Sequence, residues 1–167
     1  ALISPVVPFK IIARIRSPFP GKFGIPRQSG LVENKGRIVF EKEYQRFNAL
    51  AYARRWALDR NPLFVDFTGI GGNCTNFASQ SVLAGSCVMN YNDVYGWYYL
   101  SLAKRSAPWT GVEFFYNFMT SNTDVGPFGK EVDISLVEPG DLIQLKNSEG
   151  RFYHTLVVVR IEENEIY

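Results

Sequence analysis

An α+β fold is predicted by three features of the 167-residue sequence: helix-spaced apolar residues through its middle, alternating apolar runs near its end, and a proline- and glycine-punctuated beginning. Helices first and antiparallel strands after is the order of proteins whose helices pack on one face of a sheet. The length suits one compact unit with a sizeable core, and 15% aromatic residues supply bulky material for it.

The beginning carries five of the nine prolines, at positions 5, 8, 18, 20 and 26, with glycines at 21, 24, 30 and 36. That density forbids a long helix, while KIIARIR at 10–16 and GRIVF at 36–40 have strand-like patterns. Residues 1–43 therefore read as an extended, β-like arm, too short to form a core alone, ahead of a main unit at 44–167.

Within that unit Phe47, Leu50, Ala51, Arg54, Ala57 and Leu58 fall at helical spacing over Glu41 to Asp59, with Arg54 the misfit, and Asn61-Pro62 stops the helix. A second helix is predicted from Asn73 or Cys74, with Phe77, Ala78, Ser81, Val82 and Gly85 on one face and Gly85 at its end. Thr110-Gly111-Val112-Glu113 fits a capping box, so a third helix is expected over 110–121 with Val112, Phe115 and Met119 on one face. Past Pro139-Gly140, DLIQL at 141–145 and FYHTLVVVR at 152–160 read as strands flanking the loop KNSEGR. Phe64, Phe67, Phe114, Phe115 and Phe118 are expected in the core.

Net charge is +2, so no bulk field draws the chain to nucleic acid or a membrane. The charge is uneven: Lys10, Arg14, Arg16, Lys22, Arg27, Lys35 and Arg37 face only Glu33 in the first forty residues, a local +6 that leaves the other 127 at −4. Basic residues scattered among prolines read as solvated surface rather than an RNA footprint, although the arm is where nucleic acid would bind. No apolar run approaches the roughly eighteen residues of a membrane span, and ALISPVVPFK lacks the order of a signal peptide, so the chain reads as cytosolic. It begins at Ala1 rather than Met, which leaves a removed leader open. The oligomeric state is not readable.

Two cysteines, Cys74 and Cys87, flank the second helix, whose length puts them roughly 15 Å or more apart. Both therefore read as free thiols. Cys74 follows Gly71-Gly72-Asn73 and opens the helix, where free amides and the helix dipole favour an anion. Asn73 suits the cap position, and the amides of Cys74 and Thr75 suit an oxyanion. A nucleophilic thiol also needs a base, and His154 is the one histidine, eighty residues on in a strand. Against this stand an inert buried thiol and a structural strand histidine. Trp97, Tyr98, Tyr99 and Trp109 are either cleft walls or core. One histidine and two distant cysteines do not make a zinc site, and GKFG at 21–24 is no phosphate loop, so neither metal nor cofactor is expected.

Residues 44–167 resemble the putative amidase domain family, a branch of the papain-like cysteine hydrolases. The matching stretches are AYARRWA at 51–57, Asn61-Pro62, GGNCTNFASQ at 71–80, GWYY at 96–99, WTGV at 109–112, PGDLIQ at 139–144 and FYHT at 152–155. The resemblance implies a papain-like α+β fold, with Cys74 as nucleophile and His154 as base acting on an amide or peptide bond, cell-wall-type peptides among them. The family commonly has Asp where this chain has Asn73. Its next strand, which orients the imidazole, would lie beyond Tyr167, so the unit reads as truncated. Asn164, Glu162, Glu163 or Glu165 would have to substitute. Residues 8–45, through IIARIRSPFPGKFGIPRQSGLV and GRIVFEKEYQ, resemble the opening of the tRNA threonylcarbamoyladenosine methyltransferase family, which uses S-adenosylmethionine. Forty residues cannot close that family's barrel, so a fusion or remnant is implied, and Arg27 and Gln28 are assigned no role. Three readings follow: a cysteine hydrolase, a papain-like binding module with a basic recruitment arm, and an RNA- or methyl-donor-binding remnant.

Overall fold

The computed structural model describes residues 9–19, 30–34, 37–163 and 165–167. The basic positions Lys22, Arg27 and Lys35, with Gln28, lie outside them. Strands β1 (Phe9–Phe19), β2 (Gly30–Asn34) and β3 (Arg37–Glu43) come first. Helices α1 (Arg46–Trp56), α2 (Cys74–Ser86), α3 (Ala107–Thr110) and α4 (Val112–Ser121) follow. Strands β4 (Phe128–Glu131), β5 (Leu142–Lys146) and β6 (Phe152–Val157) then alternate with a 3₁₀ turn at Ile134–Leu136. A two-stranded hairpin, β7 (Ile161–Glu162) and β8 (Glu165–Ile166), closes the chain.

The fold is α+β. The larger sheet runs β2-β3-β1-β5-β6, with β4 also on β1, and its named pairings are antiparallel. The strand-like segments of the first forty residues thus join the sheet: β1 pairs with β5 from Phe9 opposite Leu145 to Ile12 opposite Leu142. β5 and β6 form a hairpin that sets Gln144 opposite Thr155 and Leu145 opposite His154, with a register shift at Leu145/Lys146.

The core lies between the helices and the sheet. Trp97, Trp109, Phe115, Met119, Val82, Ala78 and Leu142 are fully buried. Trp97 stands 5.0 Å from Trp109 and stacks on Phe118 at 6.0 Å, arrangements in which ring edges and faces complement one another. Buried indoles need acceptors, and α2 supplies them: Trp97 Nε1 donates to Ser79 Oγ at 3.0 Å, and Trp109 Nε1 to Asn76 Oδ1 at 2.9 Å. The polar residues of α2 are buried because they satisfy their neighbours.

α1 begins later than its apolar spacing predicts, because residues up to Glu43 are held in β3, and it turns the other way. Its buried residues are Ala49 and Ala53, while Phe47 is 81% and Leu58 101% exposed. Small side chains decide the facing, since they let α1 lie close along α2, and Arg54 is free to donate to the Val159 carbonyl at 2.9 Å. Nor does Gly85 end α2. It sits inside the helix against the buried Tyr44 ring, where an added Cβ would come within 2.2 Å of a ring carbon. The helix stops at Cys87, in the left-handed region at φ 58°, whose N–H closes onto the Leu83 carbonyl at 2.8 Å. The capping box at 110–113 does not form. Thr110 ends α3, and extended Gly111 caps α4 without a side-chain bond. On α4, Phe115, Phe118 and Met119 face inward as expected, but Phe114 is 59% exposed, one position off that stripe.

Candidate functional site

The segment that delivers Cys74 is a glycine-rich turn. Gly69, Gly71 and Gly72 have φ of 82°, 129° and 89°, which L side chains rarely adopt, and a Cβ on Gly71 or Gly72 would meet nothing within 4 Å. The turn is closed by Ile70 and Gly72 N–H groups on the Phe67 carbonyl, at 2.9 and 3.1 Å. It is braced by side chains: Asn73 Oδ1 accepts from the Phe67 N–H at 2.8 Å, and Asn73 Nδ2 donates to Thr68 Oγ1 at 2.8 Å and to Asp66. Arg60 reaches Asp66 Oδ1 at 2.7 Å. The Thr68 backbone N–H first, then the side chains of Asn73 and Thr68, hold the Asp66 carboxyl down at about 2.

Asn73 therefore does not cap α2 with its side chain, as its position suggested, because that side chain is spent on the preceding turn. No side chain caps the helix start. The first amides of a helix have no partner within it, and Cys74 and Thr75 supply the first two of α2, Thr75 fully buried. Cys74 is half-buried and reduced, with Sγ 3.8 Å from Thr75 Oγ1. Cys87 is also a free thiol, at the far end of the helix, roughly 20 Å away at 1.5 Å per residue.

The helix start is tied to β6 by one buried contact, Thr75 Oγ1 to Thr155 Oγ1 at 3.0 Å. Gln144 Nε2 joins it, 3.1 Å from Thr155 Oγ1 and 3.0 Å from the Val112 carbonyl. The contact links the immediate neighbours of Cys74 and His154. His154 itself is half-buried beside Tyr153, and burial lowers its pKa below the ordinary histidine value. No hydrogen bond reaches its imidazole among the described residues.

Of the residues expected to orient the imidazole, Asn164 lies outside the described residues. Glu162 is exposed and paired with Arg160 at 3.0 Å, and Glu165 accepts from the Tyr167 hydroxyl. Both are engaged within the terminal hairpin. Glu163 is exposed at φ 52° in its turn. Among the proposed cleft aromatics, Trp97 and Trp109 are core, fully buried and bonded to α2, and Tyr99 is also core at 7% exposure, its hydroxyl accepting from the Val65 N–H at 3.0 Å. Only Tyr98 reaches an opening, a cavity of about 660 Å³ that it shares with Tyr95, Arg105 and Phe114.

Asp66, Thr155 and Gln144 escape the sequence reading. Asp66 lies in a stretch without periodicity, and its role depends on a turn closing. Thr155 and Gln144 sit in strands where polar side chains ordinarily face water. A signal was available for Gln144 alone, which alternates with buried Leu142 on one face of β5. Among the described residues no three His, Cys, Asp or Glu side chains converge as a metal site would need, and no helix is long and apolar enough to cross a membrane.

The structure is thus an α+β protein in which the helix opened by Cys74 is tied, through Thr75 and Thr155, to the strand that bears His154. Residues 43–167 match the family described as putative amidase domain, and the chain belongs to that family. It is similar to the uncharacterized protein YhbB of Bacillus subtilis (strain 168), 34% identical over 123 residues, which make up 70% of this chain. The chain spans 37% of that relative's length. No solved structure matches.

Proposed function

We propose that the protein is a cysteine-dependent amidase or peptidase, with Cys74 as nucleophile and His154 as base, in a papain-like arrangement. The observation that carries this reading is the Thr75–Thr155 hydrogen bond, which joins the side chains of the residues directly after Cys74 and His154. Burial favours the neutral imidazole, the form that accepts a proton. In the first step the sulfur forms a bond to the amide carbonyl carbon as its proton passes to His154. The oxyanion is met by the free amides at the start of α2. The C–N bond then breaks, and the leaving amine takes the proton from the imidazolium. Water, deprotonated by His154, cleaves the thioester and restores the thiol. Family membership supports an amide substrate. Peptide amides of the cell-wall type are the class we favour.

The test is iodoacetamide labelling across pH, following the Cys74 and Cys87 peptides separately by mass. An active pair labels Cys74 faster than Cys87 below pH 7, and His154→Ala abolishes the difference. Equal rates at both thiols, indifferent to that substitution, reject the hydrolase. A second reading, a binding module that does not turn over, is favoured by an imidazole that takes no hydrogen bond among the described residues and by the engagement of Glu162 and Glu165 elsewhere. It predicts slow labelling at Cys74 together with saturable binding of a peptide amide that is recovered intact.

A further inference from the structure

Gln144, Thr155 and Thr75 form a buried file of polar groups that ends at the Cys74 sulfur. Their exposures are 0%, 4% and 0%, so no solvent completes their hydrogen bonding. The direction of each bond follows from donor and acceptor counts. The Val112 carbonyl can only accept, so the Gln144 atom 3.0 Å from it is the amide nitrogen, and its second hydrogen points to Thr155 Oγ1 at 3.1 Å. The Thr155 hydroxyl has one proton, and among the described residues its one other partner is Thr75 Oγ1 at 3.0 Å. Were Thr75 the donor in that bond, the Thr155 proton would be left buried without an acceptor. The satisfied order is therefore Gln144 to Thr155 to Thr75, which turns the Thr75 proton toward Cys74 Sγ at 3.8 Å. Gln144 Oε1 is buried and takes no hydrogen bond, so the amide is kept in place even though half of it goes unsatisfied.

Resting on the hydrolase reading, we propose that Gln144 and Thr155 are positioning residues that fix the proton order of this file, so that Thr75 presents a donor to the Cys74 sulfur and holds it in place for attack. Bonds in series within a dry interior strengthen one another. The same bonds hold the start of α2 against β6, 80 residues away in sequence. One device would thus set both the placement of the helix start against β6 and the orientation of the group beside the sulfur.

The experiment measures iodoacetamide labelling of the Cys74 peptide from pH 5 to 9 in the full chain and in Thr155→Val, Thr155→Ser and Gln144→Met. Thr155→Val keeps the shape and deletes the hydroxyl, Gln144→Met is close in volume and deletes the donor, and Thr155→Ser restores the hydroxyl. Thr155→Val and Gln144→Met should each slow labelling at pH 7 about tenfold, with Thr155→Ser within about twofold of the parent. Near-ultraviolet circular dichroism identifies the folded variants, and either deletion alone suffices for the comparison. Parent-like labelling in a folded Thr155→Val or Gln144→Met overturns this proposal and leaves the hydrolase standing, as does a Thr155→Ser profile as slow as Thr155→Val. A parent protein whose Cys74 is no faster than Cys87 and is blind to His154→Ala overturns both.

Discussion

The two ends of α2 each carry a cysteine, and they are finished in opposite ways. At Cys87 the backbone closes on itself, its N–H on the Leu83 carbonyl and its thiol toward the Ala84 carbonyl at 3.7 Å. At Cys74 the preceding asparagine turns away, no side chain caps the helix, and the nearest polar group is a threonine already bonded across to the sheet. A helix end with its groups satisfied has nothing to offer a ligand. The start of α2 differs in having no side-chain cap, with a sulfur and a glycine turn beside it. Residue type alone does not separate the two thiols; the termination of the helix does.

Removing each thiol breaks the comparison most directly. Cys74→Ala is expected to cut amide hydrolysis by about a thousandfold or more, while Cys87→Ala leaves it within about twofold. Steady-state assays of both variants on one peptide amide decide it, and equal losses would erase the distinction. The next largest effect lies at the closed end. Gly85→Ala forces a methyl into the Tyr44 ring and should cost about 1–3 kcal/mol in thermal or urea unfolding. Gly72→Ala, at the open end, meets no neighbour and should cost about 1–2 kcal/mol through its positive φ alone. Trp109→Phe leaves Asn76 Oδ1 buried without its donor beside the first turn of α2, for a loss of about 1–3 kcal/mol in the same measurement.

The smallest effect is in acid. The Asp66 carboxyl titrates at about 2 in the folded protein, below the ordinary 3.8, so the unfolded chain takes up its proton first. The support Asp66 gives the turn is whole above about pH 4 and disappears as pH falls toward 2. Amide exchange at Phe67 and Thr68, followed through that window in the parent and in Asp66→Asn, should show protection lost in the parent alone.

Long-period features carried into the structure and local polar ones did not. α2 and the β5–β6 hairpin lie where apolar spacing puts them, and Cys74 opens its helix as glycines followed by an apolar run suggest. The face of α1 was misread because burial there follows size: Ala49 and Ala53 permit close approach where Phe47 and Leu58 would not. Trp97 and Trp109 read as core more readily than as cleft walls, and acceptors on α2 keep them in the core. The capping box at Thr110 lost to a short helix that uses the threonine as its last residue. At the site, the cysteine and histidine stand out by rarity. The file through Gln144 and Thr155 does not, because its meaning lies in cross-strand register, which a single sequence encodes only weakly.

β5 lies between β6 on one side and β1 on the other, so a piece cut to residues 43–167 would leave a row of backbone donors and acceptors on β5 with no partner. Such a bare border is an invitation to self-association. Excising the family segment by its sequence limits should yield material that aggregates, whereas the whole chain, with its first strand in place, should not.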